Sequence, residues 1–449
     1  MKEKRGEFSS RLGFIIAATG SAVGLGNVWG FPTNTASNGG AAFVVTYFFL
    51  AFLLAYPALM AELVIGRCTR ANIYSALENI SATPLSRWSG RCIGAYAIAV
   101  ATAILSFYSL VAGWMLAHLL ASASELAGNT AVQNWLERAS LARNLLCAGV
   151  FSILTVTVVS HGVQRGIERW SERLMPALLL LLIVLIIYVL QQPGAMTGLS
   201  LYLLPDFSEV FHPSLLLSAL GQAFFSLSLG VGTMLIYGSY VRREDNLPAL
   251  GAWVTLVDTS VAFLAGLLII PALFVAQELG ITIYRDGSLI AGPDLIFQVL
   301  PTLFDSMGAN GTVVALAFFL LMTIAALTSS ISMLEVPVAL IAEKTPLSRV
   351  TASWLAGSLV FGASAGIAAN FDTLFSLVVT LTTEYSQPLL GIALCMFAGW
   401  VLHRDRLLAE IRAGFDGVEQ SLFWKIWPFY VRVICPLLIG AAFLQSIIQ

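Results

Sequence analysis

The sequence predicts an all-α polytopic membrane protein of eleven transmembrane helices, on three observations. The 449 residues are 58% hydrophobic and only 11% charged, against about 25% charged residues in an ordinary soluble domain. Apolar runs of roughly 20 residues, enough to cross about 30 Å of hydrocarbon, recur from end to end. Two of the runs are interrupted by glycine pairs at corresponding places, Gly24 and Gly26 in GSAVGLGNVWGFP, and Gly230 and Gly232 in FFSLSLGVGTM. A five-span offset makes those two runs antiparallel, so a core of five-plus-five inverted repeats with helices 1 and 6 broken is expected.

The spans fall near 11–36, 41–66, 90–120, 143–160, 170–191, 213–241, 248–277, 310–343, 350–368, 371–402 and 422–446. They form one transmembrane domain over 1–449, with inverted repeats at about 11–191 (helices 1–5) and 213–402 (helices 6–10), and helix 11 at 422–446. Neither a cleavable signal peptide nor a soluble domain is expected. Lys2, Lys4, Arg5 and Arg11, then Arg67, Arg70, Arg87 and Arg91, fall on one side with Arg165, Arg169, Arg173, Arg242, Arg243, Lys344, Arg349, Arg404, Arg406 and Arg412. The other side keeps Arg138, Arg143 and Arg285. The positive-inside rule then places the amino terminus in the cytoplasm and, with an odd span count, the carboxyl terminus outside the cell (inner) membrane.

The net charge of −2 points to no partner, and nucleic acid is not expected. Cys68, Cys92, Cys147, Cys395 and Cys435 show no CxxC spacing and read as buried small hydrophobes. Most loops are short. Between spans 7 and 8 the apolar island GPDLIFQVLPTLF, 292–304, reads as a lid.

Unwinding a helix at the bilayer midplane exposes carbonyls and amides that hydrocarbon cannot satisfy. Carbonyl oxygens suit a hard monovalent cation, and the N–H groups at the start of a half-helix attract a carboxylate. Close helix packing would also explain Gly20-x-x-x-Gly24 and Gly26-x-x-x-Gly30, but not Asn27 within the run or Pro32 beyond it. A nucleotide loop is excluded, since no strand precedes the glycines and the spacing is not GxGxxG. In span 8, Ala325, Thr328 and Ser329 share one helix face, although such hydroxyls often back-bond within their own helix. Asp258 lies inside span 7, where an ionisable group is a candidate functional residue by its cost alone. Glu335 and Glu384 are also within spans, and Glu62, near a helix end, reads as able to snorkel.

These residues resemble the neurotransmitter:sodium symporter family, the fold of the bacterial leucine transporter. The matches run through RLGFIIAATGSAVGLGNVWGFP, NGGAAF, GIERW, GQAFFSLSLGVG, AGPDLIFQVLP and ALTSSIS, and so cover spans 1 to 10 in order. The resemblance implies two sodium ions. One would sit on the carbonyls of Gly20, Val23 and Ala325 and the hydroxyls of Thr328 and Ser329. The other would sit on the Ala22 carbonyl, Asn27, Ser226, Asp258 and the substrate carboxylate. It implies a substrate pocket of Ser21, Ala22, Gly24, Leu25 and Gly26 from span 1, and Ile104 and Tyr108 from span 3. Phe225, Ser226, Ser228 and Val231 from span 6, with Ser329 and Met333 from span 8, would complete it. Tyr108 would hold the carboxylate and Phe225 would be the lid above it. Amine-transporting relatives carry an acid where this chain has Gly24, so an amino acid is implied, and an apolar pocket makes it neutral and hydrophobic. Asp258 would supply the charge that chloride supplies in other members, implying chloride independence.

Departures accompany the likeness. The family's outer gate pairs an Arg after the span 1 Trp with an acid on span 10. Here those positions hold Gly30 and Thr383, with Glu384 adjacent. The inner gate is expected from Arg5 and Glu343, the outer from Tyr108, Phe225 and the lid. Gly166-x9-Pro176 resembles a motif that permits unwinding of span 5. A twelfth span is not expected.

The expected function is sodium-coupled symport of a neutral hydrophobic amino acid by alternating access, with lipid as solvent and a monomeric or weakly dimeric state. The alternatives are a transporter of the same fold for an amine or aromatic compound, and an ion channel, which needs no carboxylate and lid residues. No enzyme is expected: His118, the only histidine well inside a span, lacks a paired acid or serine and reads as packed.

Overall fold

Hydrocarbon offers a backbone no partner, so a spanning segment satisfies its own amides, and helix dominates this chain. The computed structural model describes residues 6–205, 210, 212–285, 288–290 and 294–448. Among these the strands are a two-residue pair, Tyr284–Arg285 against Ser288–Leu289.

Among the described residues eight helices are long and apolar enough to span a membrane: Ala41–Thr69, Pro84–Leu126, Leu141–Ser160, Val163–Leu190, Leu247–Glu278, Asn310–Lys344, Arg349–Ala369 and Leu422–Leu444. Two further pairs qualify together, Arg11–Ala22 with Gly26–Ser37, bent by 56°, and Phe371–Val401 with Arg404–Arg412, bent by 97°. The expected sixth span consists of Pro213–Ser226 and Thr233–Gly238, each too short to cross alone. A count of eleven therefore depends on taking that pair as one span. Spans keep the numbers of the sequence expectation. Helices begin where Ser10, Thr83, Ser140, Asn246, Ser348 and Ser421 each accept a backbone N–H from the first turn.

The core is two apolar clusters stacked along the bundle. Spans 1, 3 and 8 each pass from one to the other, between Ala22 and Val23, Leu105 and Tyr108, and Ala326 and Ile331. Both break and hydroxyl face therefore sit at the seam, where polar groups interrupt apolar packing least.

The described part of the 292–304 island packs as a cover. Leu295–Val299 and Leu300–Ser306 bury Leu295, Ile296, Leu300 and Leu303. Phe297 meets Trp29 and Trp114 edge-on, with centroids 6.5 and 5.6 Å apart. His118 is packed as expected, stacked between Phe297 and Phe319. Cys147, Cys395 and Cys435 are buried, but Cys68 is only half-buried and Cys92 is exposed, on the helix face opposite Gly90 and Gly94, which pack against the helix Ile73–Ile80. Around Gly166, Val163–Glu168 is a wide π-helical turn, and Pro176 lies inside the helix that follows.

Candidate functional site

The break in span 1 is built by its sequence. Val23 leaves the helix with an extended backbone (φ −69°, ψ 101°), so its carbonyl turns outward and accepts from Ser329 Oγ at 3.2 Å. Thr328 Oγ1 donates to the Ala325 carbonyl at 3.0 Å. A Cβ on Gly20 would lie 3.5 Å from Thr328 Cβ. Gly20, Val23, Ala325, Thr328 and Ser329 thus converge, and the back-bonding anticipated for Thr328 occurs inside the cluster.

The second cluster is buried and joins three spans. Asn27 Nδ2 donates to Asp258 Oδ1 at 2.8 Å, the Asp258 carbonyl at 3.2 Å and Ser226 Oγ at 3.1 Å. Ser226 Oγ donates to Asp258 Oδ2 at 2.8 Å, and Asn27 Oδ1 accepts from the Gly24 amide at 3.2 Å. Tyr47, which sequence reasoning missed, donates its hydroxyl to Ser226. Hydroxyl, amide and carboxylate oxygens beside broken backbone fit a hard cation. Among the described residues no cluster of three His, Cys, Asp or Glu side chains offers the nitrogen and sulfur donors of a transition-metal site.

The break in span 6 needs left-handed backbone at Ser228 (φ 52°), Gly230 (φ 88°) and Gly232 (φ 82°), which glycine adopts freely and serine does not. Its exposed amides are capped by Glu62, whose carboxylate accepts from Gly230 at 2.7 Å and Leu235 at 3.2 Å. Glu62 is 2% exposed. It does not snorkel, because the open amides of the break give a buried carboxylate more than the headgroup region would.

Between the breaks lies a cavity of about 310 Å³. Ala22, Gly24, Leu25, Gly26, Ile104, Tyr108, Phe225, Ser226, Ser228, Val231, Ser329 and Met333 all line it. Ser21 does not: its hydroxyl turns to Ser332 at 2.6 Å, on the far side of the helix. Phe225 is 41% exposed and stands at the mouth. A Cβ at Gly24 would lie 2.5 Å from Ser329 Oγ and 3.1 Å from the Tyr108 hydroxyl, so no larger side chain fits there. That hydroxyl is buried without a protein hydrogen-bond acceptor or donor of its own. No lining side chain is charged.

Trp29, Gly30, Phe107, Val111, Phe375, Val379, Thr383 and Gln387 complete the wall. Gly30 and Thr383 are the two positions of the lost outer gate. Gln387, which sequence reasoning missed, is legible as a polar residue inside an apolar run, one helical turn beyond Thr383. Glu384 is exposed and accepts from Thr380, away from the cavity. Arg5, expected in the inner gate, lies outside the described residues. Its expected partner Glu343 accepts from the backbone and side-chain amides of Asn72, at 3.1 and 2.6 Å.

Two helices broken at the seam of a membrane bundle, with an oxygen-rich cradle at each side of an uncharged cavity, define a multi-pass secondary transporter rather than an enzyme. The chain belongs to the sodium:neurotransmitter symporter family, whose model matches residues 5–145 and 144–449. It is 35% identical to the uncharacterized sodium-dependent transporter YhdH of Bacillus subtilis, over 99% of this chain and 98% of that one. It is 30% identical to an uncharacterized sodium-dependent transporter of Haemophilus influenzae, over 99% of both. A crystal structure of MhsT in complex with L-phenylalanine superposes with a TM-score of 0.82, at 35% identity, over 99% of this chain and 100% of MhsT. The protein is a sodium-coupled symporter of a small-molecule substrate.

Proposed function

We propose that the chain imports a neutral hydrophobic amino acid with two sodium ions, by alternating access and without chloride. The observation that carries this reading is the pairing of ends in one cavity. The half-helix that begins at Leu25 and Gly26, the unpartnered Tyr108 hydroxyl and the Asn27, Ser226 and Asp258 cluster form a carboxylate-and-cation end. The rest of the wall is largely apolar, with Ser228, Thr383 and Gln387 as uncharged polar exceptions. The crowding at Gly24 argues against the amine alternative, since an acid at that position has no room. Thr328, Ser329, Val23 and Gly20 would hold the second ion, and the Asp258 carboxylate would take the role of chloride.

Spans 1–5 (11–191) and 6–10 (213–402) are the two inverted repeats of this mechanism. Spans 1, 2, 6 and 7 rock against the rest, with the arginine-rich face cytoplasmic and the protein in the cell (inner) membrane. Proteoliposomes with an imposed sodium gradient, screened across the twenty amino acids, test it: saturable uptake of apolar residues is expected, unchanged when gluconate replaces chloride. Uptake that collapses on that replacement would overturn chloride independence. Thr328→Ala with Ser329→Ala is expected to abolish sodium-dependent uptake, and unchanged uptake would show that the second ion sits elsewhere.

A further inference from the structure

Two buried polar atoms in the cavity wall lack a hydrogen-bonding partner, the Tyr108 hydroxyl and Gln387 Oε1. Tyr108 belongs to the carboxylate end. Gln387 comes from span 10, is 3% exposed, and lines the cavity together with the apolar side chains of Ile104, Val231 and Met333. Its Nε2 donates to the Leu229 carbonyl at 2.9 Å, inside the break of span 6. That bond fixes the amide's direction, because turning it over would set Oε1 against a carbonyl oxygen, acceptor to acceptor. Oε1 is thus the open acceptor of the amide.

Neighbouring hydroxyls do not fill it. Thr383 donates to the Val379 carbonyl at 2.8 Å, Ser226 to Asp258 and Ser329 to Val23. A buried acceptor left unmatched is costly, and a site built around one discriminates strongly between ligands that bring a donor and isosteres that do not.

We propose that Gln387 determines specificity: its Oε1 accepts a hydrogen bond from the substrate side chain, and the substrate is an aromatic amino acid whose ring carries a donor, tryptophan above all. This rests on the amino-acid reading given above. The aromatic wall of Trp29, Phe107, Phe225 and Phe375 suits a flat ring. An indole N–H is a donor only, so it satisfies Oε1 and strands nothing. A phenol brings a donor with an extra acceptor, phenylalanine brings neither, and a lysine ammonium finds no carboxylate on the wall.

The test is sodium-dependent binding to the purified full-length protein of three probes: L-tryptophan, L-3-benzothienylalanine, which replaces the indole N–H by sulfur at nearly the same shape, and L-phenylalanine. Tryptophan is expected to bind at least about tenfold more tightly than the sulfur analogue, and Gln387→Met is expected to bring that ratio to about one. Equal binding by the wild type, or a ratio that survives in Gln387→Met, overturns the role of Gln387 while leaving the amino-acid reading intact. Sodium-dependent binding of none of the three by the wild type overturns the amino-acid reading itself. Nε2 also caps Leu229, so where Gln387→Met fails to fold the wild-type ratio, which needs no variant, decides alone.

Discussion

At the arginine-rich end of the bundle, elements far apart in sequence are tied by charge; at the end where the cavity opens, they are tied by amides and aromatic rings. Arg67, fully buried, donates to Glu410 Oε1 at 2.8 Å and to the Asp245 carbonyl at 2.7 Å, joining span 2 to the helix Arg404–Arg412. Arg11 pairs with Asp245 and Arg349 with the buried Glu335, which also accepts from Tyr240. Glu168 accepts from the Ser9 amide and hydroxyl, holding the entry to span 1. At the other end Gln222 donates to the Gly26 carbonyl at 2.9 Å and accepts from Asn34 at 2.8 Å, beside Gly30. Charge pairs have two discrete arrangements, made and broken, and suit a gate that must open against a large stabilising contact. Neutral amides and rings desolvate more cheaply than charges and suit a mouth through which a small solute passes.

The largest effect is expected where the paired end is most buried. Arg67→Ala strips Glu410 of its buried partner and leaves it only the exposed Arg243 at 3.9 Å, and breaking a buried pair costs about 3–5 kcal/mol. A clear fall in melting temperature of the purified protein is expected, and a wild-type value would show that charge does not hold that end. Glu335→Gln keeps hydrogen bonding to Tyr240 but leaves Arg349 uncompensated. Arg349 is partly exposed, so a smaller loss is expected, about 1–3 kcal/mol, read in the same melting experiment.

The difference between the two ends also marks what the sequence made legible. The breaks could be read because glycine pairs recur at corresponding places of two antiparallel spans and close packing leaves Asn27 and Pro32 unexplained, and the polar clusters because Asn27, Asp258, Thr328 and Ser329 are polar where polarity is expensive. The cavity lining followed from the resemblance, with Ser21 displaced because a helix of 3.6 residues per turn carries its side chain to Ser332. Less legible were residues whose roles depend on a neighbour brought close by packing. Glu62 and Gly230 are 168 residues apart, Asn27 and Ser226 199, Arg67 and Glu410 343. Nothing local to Glu62 distinguishes an amide cap from a snorkelling side chain. A wide turn such as Ala51–Ala55 leaves no mark either, since the apolar pattern continues through it.

Placing charge at the neutral end sharpens the comparison. A Cβ at Gly30 would lie 3.4 Å from Gln222 Oε1, an ordinary contact, so Gly30→Arg is expected to fold. Its guanidinium would stand at the mouth without an acid, because Glu384 faces outward, and slower uptake is expected. Adding Thr383→Asp supplies the partner from the cavity wall, and a double-mutant cycle on uptake is expected to show a favourable coupling of about 1 kcal/mol. Additive effects would mean that the two positions no longer face each other across the mouth.

The smallest effect is expected at an ion pair on the charged end that is not buried. Arg91 and Glu78 pair at half-exposed positions between spans 2 and 3, where water screens both charges and side-chain entropy offsets most of the attraction. The hydrogen bond from Arg91 holds the Glu78 carboxyl below the usual carboxylate range. A depressed folded value means that the contribution is present above the unfolded value of about 4.3 and is lost as pH falls through the folded one. Arg91→Ala should therefore melt almost with the wild type at neutral pH, and the small difference should close on acidification below that range. A loss at neutral pH as large as that of Arg67→Ala would show that burial is not what separates structural from incidental charge at this face.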